Sequence, residues 1–235
     1  MNGVRDTRRF RRLATGAVMI AIAPIVLAGV ALKPADDGDA KEVLATVAAH
    51  ASAWEASLLI SILAIALLIP ATLGLMRVAQ QGSAILALIG GSLSLLGWVA
   101  FMGVQAGAAV TLAMAVSTAD RAGMSALYDQ LGNSTALNVI QMAFVIGHVA
   151  GIAVLGIALA RSRMVPTWIG IVLVISGPLH FAAHAIGIRQ VDLAAFTLLV
   201  LGYAATGVVV LRMADERWDG VPSPARTVVA AVPAT

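Results

Sequence analysis

The sequence predicts an all-α protein, a polytopic transmembrane bundle of six helices. Composition, the length of the apolar runs and the placement of charge carry that prediction. Of 235 residues, 60% are hydrophobic and 11% charged, and mean hydropathy is +0.94. Apolar runs of about 20 residues recur, the length that a helix rising about 1.5 Å per residue needs to cross a hydrocarbon layer of about 30 Å. The net charge of +3 is gathered into a few segments. Little chain is left over for a soluble domain.

The same composition excludes several function classes. With no cysteine, disulfides, thiolate metal ligation and thiol catalysis are ruled out. Arg5, Arg8, Arg9, Arg11 and Arg12 crowd the start. Beside a membrane span such a cluster sets topology and meets anionic lipid, so membrane lipids are expected partners and nucleic acid is not. Thirteen arginines against two lysines, in an alanine-rich chain, match the bias of a GC-rich bacterial genome.

Three regions follow: a basic cytoplasmic segment over 1–12, a six-span domain over 13–211, and a cytoplasmic tail over 212–235, largely disordered at its end. The first span covers 13–32. It exceeds the about 7–15 apolar residues of a cleavable signal and is read as a retained helix kinked at Pro24. Asp39 and Glu42 have capping-box spacing, so a helix starts there and runs through Val43, Val47, His50 and Trp54 into the second span, 54–75. The third apolar run, 84–116, is too long for one perpendicular crossing; it either tilts and projects beyond the lipid or breaks near Gly103 and Gly107. A polar connection over 117–135 carries a short amphipathic helix around Leu127, Tyr128 and Leu131. The fourth span is 137–160, the fifth 165–187 and the sixth 193–211, with a tight turn over 189–192 before the last.

Alternation of these spans puts Arg5, Arg8, Arg9, Arg11, Arg12, Arg77, Arg161, Arg163, Arg212, Arg217 and Arg226 on one side and Lys33, Lys41, Arg121 and Arg189 on the other. Eleven cations against four place both termini in the cytoplasm of a multi-pass protein of the bacterial inner membrane. Spans two and three also echo spans four and five, each pair a helix, an arginine-bearing turn and a glycine-bearing helix. The echo reads as a parallel repeat.

The fourth-to-fifth turn reads Ala160-Arg161-Ser162-Arg163-Met164-Val165-Pro166-Thr167-Trp168-Ile169-Gly170. Its arginines suit an anionic inner surface, Pro166 suits the first turn of a helix, and Trp168 suits headgroup depth. The turn resembles one found between late spans in a bacterial family of six-span integral membrane proteins of unknown function, with the pattern Ser-Arg-x-[Val/Ile]-Pro-x-Trp. The resemblance implies six spans and an arginine-rich start. It brings no activity, cofactor or catalytic residue.

Polar residues inside apolar spans are costly and therefore informative. Asn138, Gln141 and His148 share one face of the fourth span, and Ser176, His180 and His184 one face of the fifth. Gln105 lies in the outer part of the third span and Glu55 at the outer start of the second. These groups fall in the outer half of the bilayer, and the inner half is almost purely apolar. They predict a polar pocket opening outward or to the outer leaflet, with Glu55, Gln105, Gln141, His148, Ser176, His180 and His184 as ligand-binding candidates and with His180, His184 and Glu55 sharing it. The competing reading makes them interhelical hydrogen bonds worth about 0.6–2 kcal/mol each.

The expected occupant is a lipid, quinone-like or other amphiphilic molecule, or a partner membrane subunit, which makes the chain a binding or accessory protein rather than an enzyme, with no cofactor. An alternative is b-type haem held by His148 and His180, or by His50 and His184. Another is a metal on His180 and His184 completed by Glu55 or His50. No His-Glu-x-x-His motif is present, and a Ser176–His180 nucleophile pair lacks an orienting acid. The small-residue pairs Gly90–Gly91, Gly103–Gly107 and Gly147–Gly151 suit a compact bundle or a homo-oligomer equally.

Overall fold

The computed structural model describes residues 2–34 and 38–219. Among them there is no strand, and six helices are long and apolar enough to cross a membrane. The tail end expected to be disordered, and Arg226 with it, lies outside the described residues.

Helix α1 (Asn2–Leu32) carries the first span and extends it back through the basic N-terminal segment; Pro24 lies inside it. Helix α2 (Ala40–Ala49) starts as its sequence demands. The Asp39 carboxylate accepts the Lys41 and Glu42 backbone N–H groups, both at 2.9 Å, and Glu42 accepts the Asp39 N–H at 3.3 Å. The expected run-on into the second span does not occur. The backbone breaks at His50 (φ −124, ψ 33), and helix α3 (Ala51–Ala79) begins afresh. The cause is packing: Val43, Leu44 and Val47 bury against Trp54, Leu58 and the end of the third span, which a straight continuation would carry out of reach. His50 is left exposed, its Nδ1 3.0 Å from the Thr46 carbonyl.

Helix α4 (Ala84–Val116) is a single helix of 33 residues, about 50 Å long. The run is unbroken, and neither Gly103 nor Gly107 interrupts the helix. Its far end gives Met114 and Ala115 to a small second core shared with α2 and with Met124, Tyr128 and Leu131 of α5 (Arg121–Gly132). That amphipathic helix is capped by Asp120, which accepts the Gly123 N–H at 2.8 Å.

The fourth span is α6 (Thr135–Ile146), a π-helical turn over Gly147–Gly151, and α7 (Ile152–Ser162). Arg163 closes α7 in the left-handed region at φ 54. Pro166 stands at the N-cap of α8 (Thr167–Ile186), one position before the helical turn it was expected to occupy. Gly187, at φ 65, reverses the chain, and α9 (Arg189–Arg212) starts two residues later. Residues 189–192 are therefore the first turn of a helix and not a connecting turn, because one left-handed glycine suffices for the reversal. A short α10 (Asp215–Trp218) follows.

The helices close a ring: α1 packs on α3, α3 on α4, α4 on α6 and α7, α7 on α8, α8 on α9, and α9 back on α1. Apolar side chains such as Leu59, Leu63, Ile85, Leu88, Leu96 and Val99 face outward, as lipid contact requires. Between helices in lipid, close approach replaces the hydrophobic effect as the source of packing energy. Gly90, Ser94 and Gly97 of α4 form such a seam against Gly147, Gly151 and Leu155: a Cβ on Gly147 would stand 2.5 Å from the Gly97 Cα. The Gly103–Gly107 pair makes no comparable seam, since Gly107 has nothing within 4 Å.

One end of the ring is ionic. Asp219 meets Arg8 at 3.1 Å and both Arg11 and Arg77 at 3.6 Å. Arg12 meets Asp215 at 2.6 Å and donates to the Val210 and Leu211 carbonyls that end α9. The N- and C-terminal helical segments are thus tied together at one face of the bundle.

Candidate functional site

The opposite end of the ring holds a cavity of about 280 Å³. Along α1 the distance from Arg8 to the lining residue Gly29 is about 31 Å of helix, so the cavity and the ionic network lie at opposite faces. Trp54, Ser57, Leu58 and Ser61 line it from α3, and Phe101, Val104, Gln105 and Ala108 from α4. Gln141 and Phe144 come from α6, His180, Ala183 and His184 from α8, and Asp192 and Phe196 from α9. The α3 and α4 sets recur at helical spacing, i, i+3, i+4 and i+7, so each helix gives one stripe to the cavity.

The polar wall is built by α8 and α9. His180 and His184 are one turn apart, and Asp192 comes from the first turn of the next helix. One Asp192 carboxylate oxygen lies 2.5 Å from the His180 Nδ1 and 3.9 Å from the His184 Nδ1. His180 is buried and His184 is 66% exposed in its side chain. The His180 ring is wedged edge-on against His148 at 5.0 Å, Phe196 at 4.8 Å and Phe144 at 6.4 Å. Near the rim, the Lys33 ammonium sits 5.4 Å over the Trp54 ring, and Arg189 donates to the Ala31 carbonyl at 2.7 Å.

The sequence candidates divide on this geometry. Gln105, Gln141, His180 and His184 line the cavity. His148 lies behind the wall on the π-helical turn, 2% exposed, and its Nδ1 has no hydrogen-bond partner among the described residues. Ser176 is buried and donates to the Leu173 carbonyl of its own helix at 2.8 Å, away from the cavity lining. Glu55 is exposed and does not line the cavity. It follows Trp54 by one residue, about 100° round the helix from it, so it does not share the pocket with His180 and His184, and the carboxylate beside His180 is that of Asp192. The sequence marks neither Asp192 nor the aromatic lining: 189–192 reads as a tight turn, and an aromatic inside an apolar run gives no sign of which cavity it will face.

The histidine pairs do not fit haem. His148 and His180 are in direct ring contact with Phe144 and Phe196 packed around them, leaving no slot for a macrocycle between two axial nitrogens. His50 stands outside the cavity lining at the α2–α3 break, so it does not pair with His184 across it.

Six apolar helices of membrane-crossing length, closed round a cavity with a histidine–aspartate wall, define a polytopic helical membrane protein. The chain belongs to the family described as Domain of unknown function (DUF4386), whose model matches residues 14–213. The matched region takes in the first span from residue 14, the other five spans whole, and every residue that lines the cavity. No curated protein and no solved structure matches the chain.

Proposed function

We propose that the protein is a binding or accessory protein of the bacterial cytoplasmic membrane, which takes the head of a lipid, quinone-like or other amphiphilic molecule into the cavity between α3, α4, α8 and α9. The observation that carries this reading is the mixed lining, in which the apolar Phe101, Val104, Phe144 and Phe196 are interleaved with the polar His180, His184, Asp192 and Gln105. Binding sites commonly have this make-up, mostly apolar walls with a few convergent polar groups that fix orientation. About 280 Å³ suits a ring or headgroup, and the tail of such a ligand would lie among the outward-facing apolar side chains. The cation-rich ionic end faces the cytoplasm by the positive-inside rule, so the cavity opens on the outer side. Binding is favoured over catalysis because the serine nearest His180 along α8 spends its hydroxyl on the Leu173 carbonyl. A partner membrane subunit or a second copy of the chain would meet the same outer surface.

The test uses the full chain in mild detergent, challenged with phospholipids and with ubiquinone- and menaquinone-type quinones, read by thermal shift and native mass spectrometry. At least one class should bind one per chain and raise the melting temperature. Val104→Trp, which fills the cavity from α4, should abolish that shift without unfolding the protein. An equal shift in the wild type and in Val104→Trp would place the amphiphile elsewhere and end this reading.

A further inference from the structure

We propose that His180, His184 and Asp192 hold a divalent transition-metal ion of the zinc type at the polar wall of the cavity. One ligand atom from each residue lies within 4.8 Å of the other two. The set is held by backbone rather than by chance side-chain contact: two residues one turn apart on α8 face one on the first turn of α9, and only Gly187 and Ile188 separate the helices. A tetrahedral ion with bonds of about 2.0 Å places its ligands about 3.3 Å apart. The two imidazole nitrogens stand 2.5 Å and 3.9 Å from the same carboxylate oxygen, on either side of that value. Rotamer adjustments of under about 1 Å bring both to it.

An ordinary hydrogen-bonded pair accounts for His180 and Asp192 but not for His184, whose nitrogen is turned toward the same oxygen from farther off. A cation shared by all three accounts for both. Two imidazoles and one carboxylate suit zinc and its late first-row neighbours, whereas magnesium and calcium prefer all-oxygen sets. The contacts of His148, Phe144 and Phe196 with the His180 ring fix its orientation, the role that surrounding groups play at metal centres. His184 is mostly exposed and all three ligands line the cavity, so the ion has an entry path and an open position for water or a ligand oxygen. This goes beyond the amphiphile reading and does not depend on it, although both use one wall of the cavity.

The test is a titration of chelator-stripped full chain in detergent micelles, with Zn²⁺ and Mg²⁺ by calorimetry and Co²⁺ by visible absorption. The expected result is one Zn²⁺ per chain, no Mg²⁺ binding, and cobalt bands of a low-coordinate site. Asp192→Asn and His184→Ala should each weaken Zn²⁺ binding by more than about tenfold, since even changes behind a metal ligand commonly reach that size. His50→Ala should leave it unchanged, and circular dichroism should show all variants folded. No saturable Zn²⁺ binding by folded wild type, equal binding of Mg²⁺, or unchanged affinity in both ligand variants overturns the proposal. Val104→Trp separates the two readings: it should keep Zn²⁺ while losing the amphiphile shift. Intact Zn²⁺ binding with no amphiphile shift in the wild type would defeat the earlier reading and leave this one standing.

Discussion

Thr72 takes three hydrogen bonds on a single oxygen. Its hydroxyl donates to the Leu68 carbonyl at 2.7 Å, which leaves the two lone pairs for the Trp98 indole N–H at 3.1 Å and the Tyr203 hydroxyl at 2.8 Å. Three helices, α3, α4 and α9, are joined at one fully buried point. Tyr203→Phe removes one donor and strands nothing, so its expected cost is about 0.6 kcal/mol, the average for such bonds in a membrane bundle. Thr72→Val leaves an indole N–H and a phenol without their shared acceptor and should cost more, about 1–3 kcal/mol per stranded group. Thermal melts of the two variants in one detergent check the order; a Tyr203→Phe loss equal to that of Thr72→Val would show that Thr72 is not the hub. Sequence reading did not find this knot, because a threonine and two aromatics inside apolar runs look like packing. It did single out His180, His184, Gln105 and Gln141, where polarity in an apolar helix is itself the signal. It missed Asp192, since a carboxylate beside a presumed turn looks like a solvated one.

At the scale of elements, the α4 seam turns on backbone approach. A Cβ on Gly147 would press on the Gly97 Cα and the Leu93 carbonyl, and both are backbone atoms that cannot swing away. Gly147→Ala should therefore destabilise the bundle by about 1–3 kcal/mol, the usual size of overpacking. Gly107→Ala, with nothing within 4 Å, should change the melting temperature little. Similar melting of both variants would show that the seam carries no packing energy. Span number, the capping box at Asp39 and the short helix near Tyr128 were legible because each has a local cause: apolar length, a paired cap, an amphipathic stripe. The break at His50 and the π-helical turn at Gly147–Gly151 were not, since both answer to distant partners. Alpha2 leaves the axis of α3 to cover the end of α4. The π-helical turn carries His148 between Trp98 and Phe144, against the His180 ring, and no local pattern announces the extra residue such a turn holds.

For the whole molecule, the two faces of the ring differ in charge and in openness. The face with Arg8, Arg11, Arg12 and Arg77 is closed by Asp215 and Asp219, and there Gly82, in the α3–α4 turn, abuts the backbone of Arg161 and Ser162. That face therefore holds both ends of the described chain and the two arginine-bearing turns. The cavity opens at the other. Arginines near span ends are retained on the cytoplasmic side, so the orientation we propose puts the closed face inward and the cavity outward. Reporter fusions after Gln81, Arg163 and Asp219 should then all report cytoplasm, and fusions after Thr118 and Gly187 should report the outside. The five sites are not independent guesses: the helices of one ring fix them relative to one another, and only the overall sense comes from charge. A full reversal would keep the bundle and put the cavity inward, defeating the outward-facing reading. A mixed pattern, with Gln81 and Arg163 on different sides, would contradict the packing of Gly82 against Ser162 and with it the ring.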